Sequence, residues 1–63
     1  SPSSQSLSDA IAGLPEEERI ILTMHYLRSM SAREIAKVLG APERSVKAII
    51  EQGRAHLLTI MGM

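Results

Sequence analysis

Cysteine, tryptophan and phenylalanine are absent from this chain, and Tyr26 is its single aromatic residue. Without cysteine there is neither a disulfide framework nor a thiolate metal site. His25 and His56 fall on different predicted helices without ligand-like spacing, so no metal or other cofactor is expected. With one aromatic ring the core must be built from Leu, Ile, Val, Met and Ala, which suits helix packed on helix better than a sheet. No apolar run approaches the roughly 18 residues of a membrane span, and no charged-then-apolar signal opens the chain. The expectation is a cytoplasmic protein, or a piece of one, with no membrane partner. A surplus of charge is lacking too: seven basic residues balance seven acidic ones. A nucleophile–base pair, a phosphate-binding loop and a metal set are all missing, which excludes the ordinary enzyme classes and a small-molecule substrate.

What is present fits one small all-α domain. A chain of 63 residues buries only about 60% of the surface its unfolded form exposes, so its stability margin is thin. The Ser-rich opening, residues 1–6, lacks apolar periodicity and is expected to be a disordered linker, leaving residues 7–63 as the domain. A short first helix is predicted over residues 7–12, with Leu7, Ala10 and Ile11 on its apolar side and Gly13 ending it. Leu14-Pro15 opens a second helix over residues 15–28. Glu16, Glu17 and Glu18 there place negative charge at the positive end of the helix dipole. Its predicted stripe is Ile20, Ile21, Met24 and Leu27.

Local punctuation is sharpest over residues 31–58. Ser31 and Glu34 form a capping-box pair, in which each side chain satisfies an otherwise orphaned backbone N–H. A third helix is therefore predicted over residues 32–39, with Ile35, Ala36, Val38 and Leu39 as its apolar face. Gly40 stands where a left-handed residue ends a helix, and Pro42 restarts the chain as a fourth, over residues 42–60. In that last helix Val46, Ile50, Gly53, Leu57 and Ile60 recur at helical spacing as the core face. Gly53 costs roughly 1 kcal/mol of helix propensity relative to alanine, so its place in the stripe predicts close approach of another helix. The opposite face carries Arg44, Lys47, Ala48, Glu51 and Ala55, with Ser45 and Gln52 on one flank and Arg54 on the other. Two helices joined by a tight turn, the second with a free polar face, have the layout of a helix-turn-helix reader of duplex DNA.

The order of Leu14-Pro15-Glu16, the apolar run Ile20 to Leu27, Ser31-Ala32-Arg33-Glu34-Ile35-Ala36, Leu39-Gly40, Ser45-Val46-Lys47 and Gly53-Arg54 with Leu57 resembles the C-terminal promoter-recognition domain of bacterial sigma factors, region 4. Within that family the chain is most similar to the extracytoplasmic-function group. The resemblance implies a domain without catalysis that docks on the flap of the RNA polymerase β subunit and sets its last helix in the major groove of the minus-35 promoter element. Carried over position by position, it implies DNA contact by Arg33, Arg44, Ser45, Lys47, Ala48, Glu51, Gln52 and Arg54. The chain departs from the family pattern where Ile49 and Gln52 replace common arginines, and each absent cation flattens the salt dependence of DNA binding.

Two other readings fit the same residues. One is the DNA-binding domain of a response regulator, acting as a dimer on spaced half-sites. The other is a sigma-like interaction module that engages a regulator such as an anti-sigma factor. Neutral charge and the apolar end support the latter, with Ile49, Leu58 and Met61 as its candidate contacts.

Overall fold

A computed structural model describes the backbone of residues 2–62 and the side chains of residues 7–62. The described residues form helices and no strand: α1 (Pro2–Ala12), α2 (Glu16–Leu22) running on into a π-helical turn (Thr23–Leu27), α3 (Ala32–Leu39) and α4 (Glu43–Ile60). This is the all-α helix-turn-helix architecture expected, with the starts of three helices displaced. Helix α1 begins at Pro2, ahead of the start at residue 7 expected for it. Proline at a helix start gives up an N–H that has no intrahelical acceptor there. At α2 and α4, Pro15 and Pro42 stand just outside the helix as caps, with extended ψ of 151° and 139°.

Each helix contributes to one aliphatic core. Ile11, Leu22, Ile35 and Val46 are its largest wholly buried members, joined by Leu14, Ile21, Ile50 and Leu57. Helix α4 is the common partner, lying against α2 on one side and α3 on another. Gly53 makes the α2 contact possible. A Cβ there would stand 2.5 Å from Leu22 Cδ1 and 3.0 Å from its Cγ, and Leu22 is itself fully enclosed. The glycine predicted to mark a close helix approach does so.

The apolar stripes extend further in sequence than the core does in space. Ile20 and Leu27, expected inside, are 44% and 43% exposed. The inward face of α2 is set instead by Glu18, Ile21 and Leu22, and the π turn adds a residue to the last coil, which carries Leu27 outward. Val38, also expected inside, lies to the side of the buried Ile35–Ala36 pair, and Leu39 is the last residue before an exposed turn. Ile60 is exposed because Leu57 is the last core position of α4.

The π turn closes with the Arg28 amide on the Thr23 carbonyl at 3.2 Å, and the chain then reverses at Ser29, whose φ is +56°. Met30 N–H returns to the Met24 carbonyl, and His25 Nδ1–H donates to the Met30 carbonyl at 2.9 Å. These bonds hold the corner that turns the chain from α2 into α3.

Overpacking a close-packed site costs about 1–3 kcal/mol, so Gly53→Val should lower thermal stability by several degrees in a calorimetric or circular-dichroism melt. Gly13→Ala meets only the Ala10 carbonyl at 3.6 Å and should melt within a degree or so of the parent or slightly above it.

Candidate nucleic-acid interface

The candidate interface begins with the cap of α3. Ser31 Oγ accepts the Glu34 amide at 3.1 Å, and Glu34 Oε1 accepts the Ser31 amide at 2.8 Å. The Ser31 amide, then its hydroxyl, stabilise the ionised carboxylate and hold Glu34 below its ordinary value of 4.5. At the other end Gly40 adopts φ +67°, and the amides of Gly40 and Ala41 both return to the Ala36 carbonyl. The turn is thus hydrogen-bonded from both sides, and Pro42 follows with its carbonyl accepting from Ser45 and Val46 to start α4. Ile35 and Ala36 of α3 meet the Val46–Ile50 face of α4. This packing turns the opposite side of α4 to solvent.

On that side Arg44, Ser45, Lys47, Ala48, Glu51 and Arg54 are all exposed, and Arg33 is exposed at the start of α3. Among the described residues no neighbouring segment covers them. Two of the cations are already engaged along the helix: Lys47 Nζ lies 3.2 Å from Glu43, and Arg54 donates to both oxygens of Glu51 at 2.8 Å. Such exposed i,i+3 and i,i+4 pairs are worth only about 0.3–0.5 kcal/mol, so either cation can be drawn to a stronger anion at little cost. Arg33 and Arg44 carry no ion pair among the described residues.

Gln52 is directed elsewhere. Its Nε2 donates to Glu18 Oε2 at 2.8 Å, and His56 Nδ1 lies 2.6 Å from the other oxygen of the same carboxylate. Glu18 is 4% exposed, and a buried carboxylate is tolerable only with such partners. Gln52, expected to face a groove, is instead a tie between α4 and α2. Glu18, expected as one of three surface charges at a helix dipole, is the other half of it. The spacing places Glu18 three and four residues before Ile21 and Leu22, on the face that both bury, but nothing local names Gln52 and His56 as its partners.

The other surface candidates divide. Ile49 is half-buried against the core, and intramolecular packing accounts for it without a partner. Leu58 and Met61 remain exposed, Met61 beside Ile60 across a shallow hollow that reaches Asp9 and Ala10 of α1. Among the described residues no group of His, Asp or Glu side chains is arranged to hold a metal ion, and no helix is long and apolar enough to cross a membrane.

With this geometry in place, comparison with known proteins is specific. Residues 4–57 match the family described as sigma-70, region 4. The RNA polymerase sigma factor FliA of Pseudomonas aeruginosa is 42% identical over 52 residues, covering 82% of this chain and 21% of that protein. FliA of Salmonella typhimurium is 36% identical and FliA of Escherichia coli K12 34%, each over 58 residues, 92% of this chain and 24% of theirs. The chain therefore spans less than a quarter of these relatives. None of them is of the extracytoplasmic-function type expected from the sequence, so the match stands at the level of region 4. No solved structure matches.

The cap makes a prediction with a definite sign. Because Glu34 is held low in the folded chain, its contribution is fully present above the unfolded value and is lost as pH falls through the folded one. Glu34→Gln retains a side chain able to cap but cannot ionise. Its stability, followed by chemical denaturation between about pH 6 and pH 3, should fall less steeply than the parent's. Ser31→Ala should cost about 1 kcal/mol at neutral pH.

Proposed function

The chain belongs to the sigma-70 region 4 family, and from that membership we propose that it is the promoter-recognition domain of a sigma factor, setting α4 in the major groove of the minus-35 element to direct RNA polymerase to promoters. The observation that carries this reading is the open N-terminal half of α4. Arg44, Ser45, Lys47, Ala48 and Glu51 are free of the fold while α3 backs the helix, and side chains in that half of a recognition helix are those that reach base edges. Arg33 stands at the start of α3, within the expected reach of a phosphate. The family is a regulatory one and not a family of enzymes. At the level of subgroup, the FliA relatives weigh against the extracytoplasmic-function assignment, and membership in region 4 favours a sigma factor over a response regulator.

A formal charge of zero supplies little of the electrostatic attraction that usually dominates affinity for DNA. A domain held at the promoter by polymerase does not need it, because tethering raises its effective concentration there. An exposed surface away from α4 favours such a partner. Arg19, Ile20, Thr23, Met24 and Arg28 line an open groove of about 380 Å³ along α2 and its π turn, and Leu27 of that turn is exposed. This is a second candidate docking surface beside Leu58 and Met61. The partners proposed for these surfaces are the β flap of the polymerase core and an anti-sigma factor.

Fluorescence anisotropy on a promoter-derived duplex, with and without polymerase core, tests the reading. Arg44→Ala should weaken binding, and Arg33→Ala should weaken it and reduce the slope of log affinity against log salt by about one. Polymerase should strengthen binding of the parent chain. Variants that bind as the parent does, with an unchanged salt slope, would overturn DNA contact by this face.

A further inference from the structure

Opposite the Val46–Ile50–Gly53–Leu57 core line, the centre of the exposed face of α4 is occupied by Arg44, Ala48, Glu51 and Ala55, at successive steps of four, three and four residues. All four are exposed. The two alanines let the helix backbone come close to whatever that face meets, so Arg44 and Glu51 are its two long polar side chains. Lys47 and Arg54 lie to one side of this line. On the other, Gln52 is taken up by Glu18. Arg44 and Glu51 have opposite charge and are two helical turns apart, about 10.5 Å along the axis.

A carboxylate at the centre of a helix that enters DNA is repelled by phosphates unless a base edge donates to it. In the major groove guanine and thymine offer only acceptors, whereas cytosine offers its N4 amino group and adenine its N6 amino group beside the N7 acceptor. That N7 repels the second carboxylate oxygen, which leaves cytosine as the compatible base. Arg54 holds both Glu51 oxygens in the free chain. It can retain one while the other turns to the groove, so the carboxylate keeps a fixed direction.

We propose that Glu51 is a specificity-determining residue: it selects a cytosine two to three base pairs from a guanine met by Arg44, and it disfavours other sequences through unpaired negative charge. The spacing follows from about 10.5 Å of helix laid along base pairs stacked about 3.4 Å apart, shortened where the helix crosses the groove at an angle. This inference rests on DNA contact by α4, and it adds the identity and spacing of two base contacts.

The test is selection from a duplex library with a randomised core at about 20 mM salt, where weak binding is strongest, followed by anisotropy on selected and random duplexes. It compares the parent chain, Glu51→Ala, Glu51→Gln and Arg44→Ala, each checked for helical content. For the parent, cytosine and guanine should be enriched at the stated spacing. Glu51→Ala should keep the guanine, lose about tenfold discrimination at the cytosine position and bind random duplex more tightly than the parent. Glu51→Gln should move that position toward adenine. Arg44→Ala should lose the guanine, keep the cytosine and bind more weakly. If Arg44→Ala loses guanine while both Glu51 variants select the parent motif, or bind random duplex no tighter, the role of Glu51 is overturned alone. If Arg44→Ala behaves as the parent, or the parent binds no duplex, DNA contact by α4 falls and this inference falls with it.

Discussion

The contact between Leu22 and the bare backbone of Gly53 sets the distance between α2 and α4, and much of the remaining structure follows from that distance. With α4 drawn close, Gln52 and His56 come within reach of Glu18, whose carboxylate then has partners enough to be buried. That tie fixes the rotation of α4 about its own axis. One flank is committed to α2 and the core line to Ile11, Leu22 and Ile35, so the Arg44–Glu51 line is left facing outward. A side chain at position 53 would do more than crowd the core: it would disturb the axis along which the exposed side chains are aimed.

Local chemistry was read well from the sequence because its causes are local. Ser31 and Glu34 are three residues apart, and Gly40 needs no partner to favour a left-handed turn, so the bounds of α3 were legible to the residue. The α4 core line was legible from periodicity as far as Leu57. Helical spacing, however, records only that residues share a side, not where the covering elements stop. Ile20, Leu27, Val38 and Ile60 therefore look internal in sequence and stand in solvent. The Glu18 tie joins residues 34 and 38 positions apart, and no local pattern distinguishes a carboxylate facing Gln52 from one beside a helix dipole. Of the candidate interface, the exposed line of α4 was readable and the diversion of Gln52 was not.

Charge distribution connects the fold to its proposed role. The acidic residues are not spread evenly against the basic ones: Glu18 is enclosed, Glu34 is spent on a cap, and Glu43 and Glu51 each hold a cation of their own helix. Overall neutrality therefore coexists with a proposed recognition face whose cations can be released cheaply. In the proposed role such a face would discriminate through the placement of single groups more than through bulk attraction, as suits a domain delivered to its site by a larger assembly.

The near-absence of aromatic residues has a practical corollary at the α2–α3 corner. Tyr26 lies in the π turn, half-buried, with its ring edge-on to His25 at a centroid distance of 4.8 Å. With no tryptophan present, ultraviolet emission from this chain comes from that one ring. The molecule thus carries an intrinsic optical probe at the bend between its two halves, and opening of the corner can be followed by light without attaching a dye.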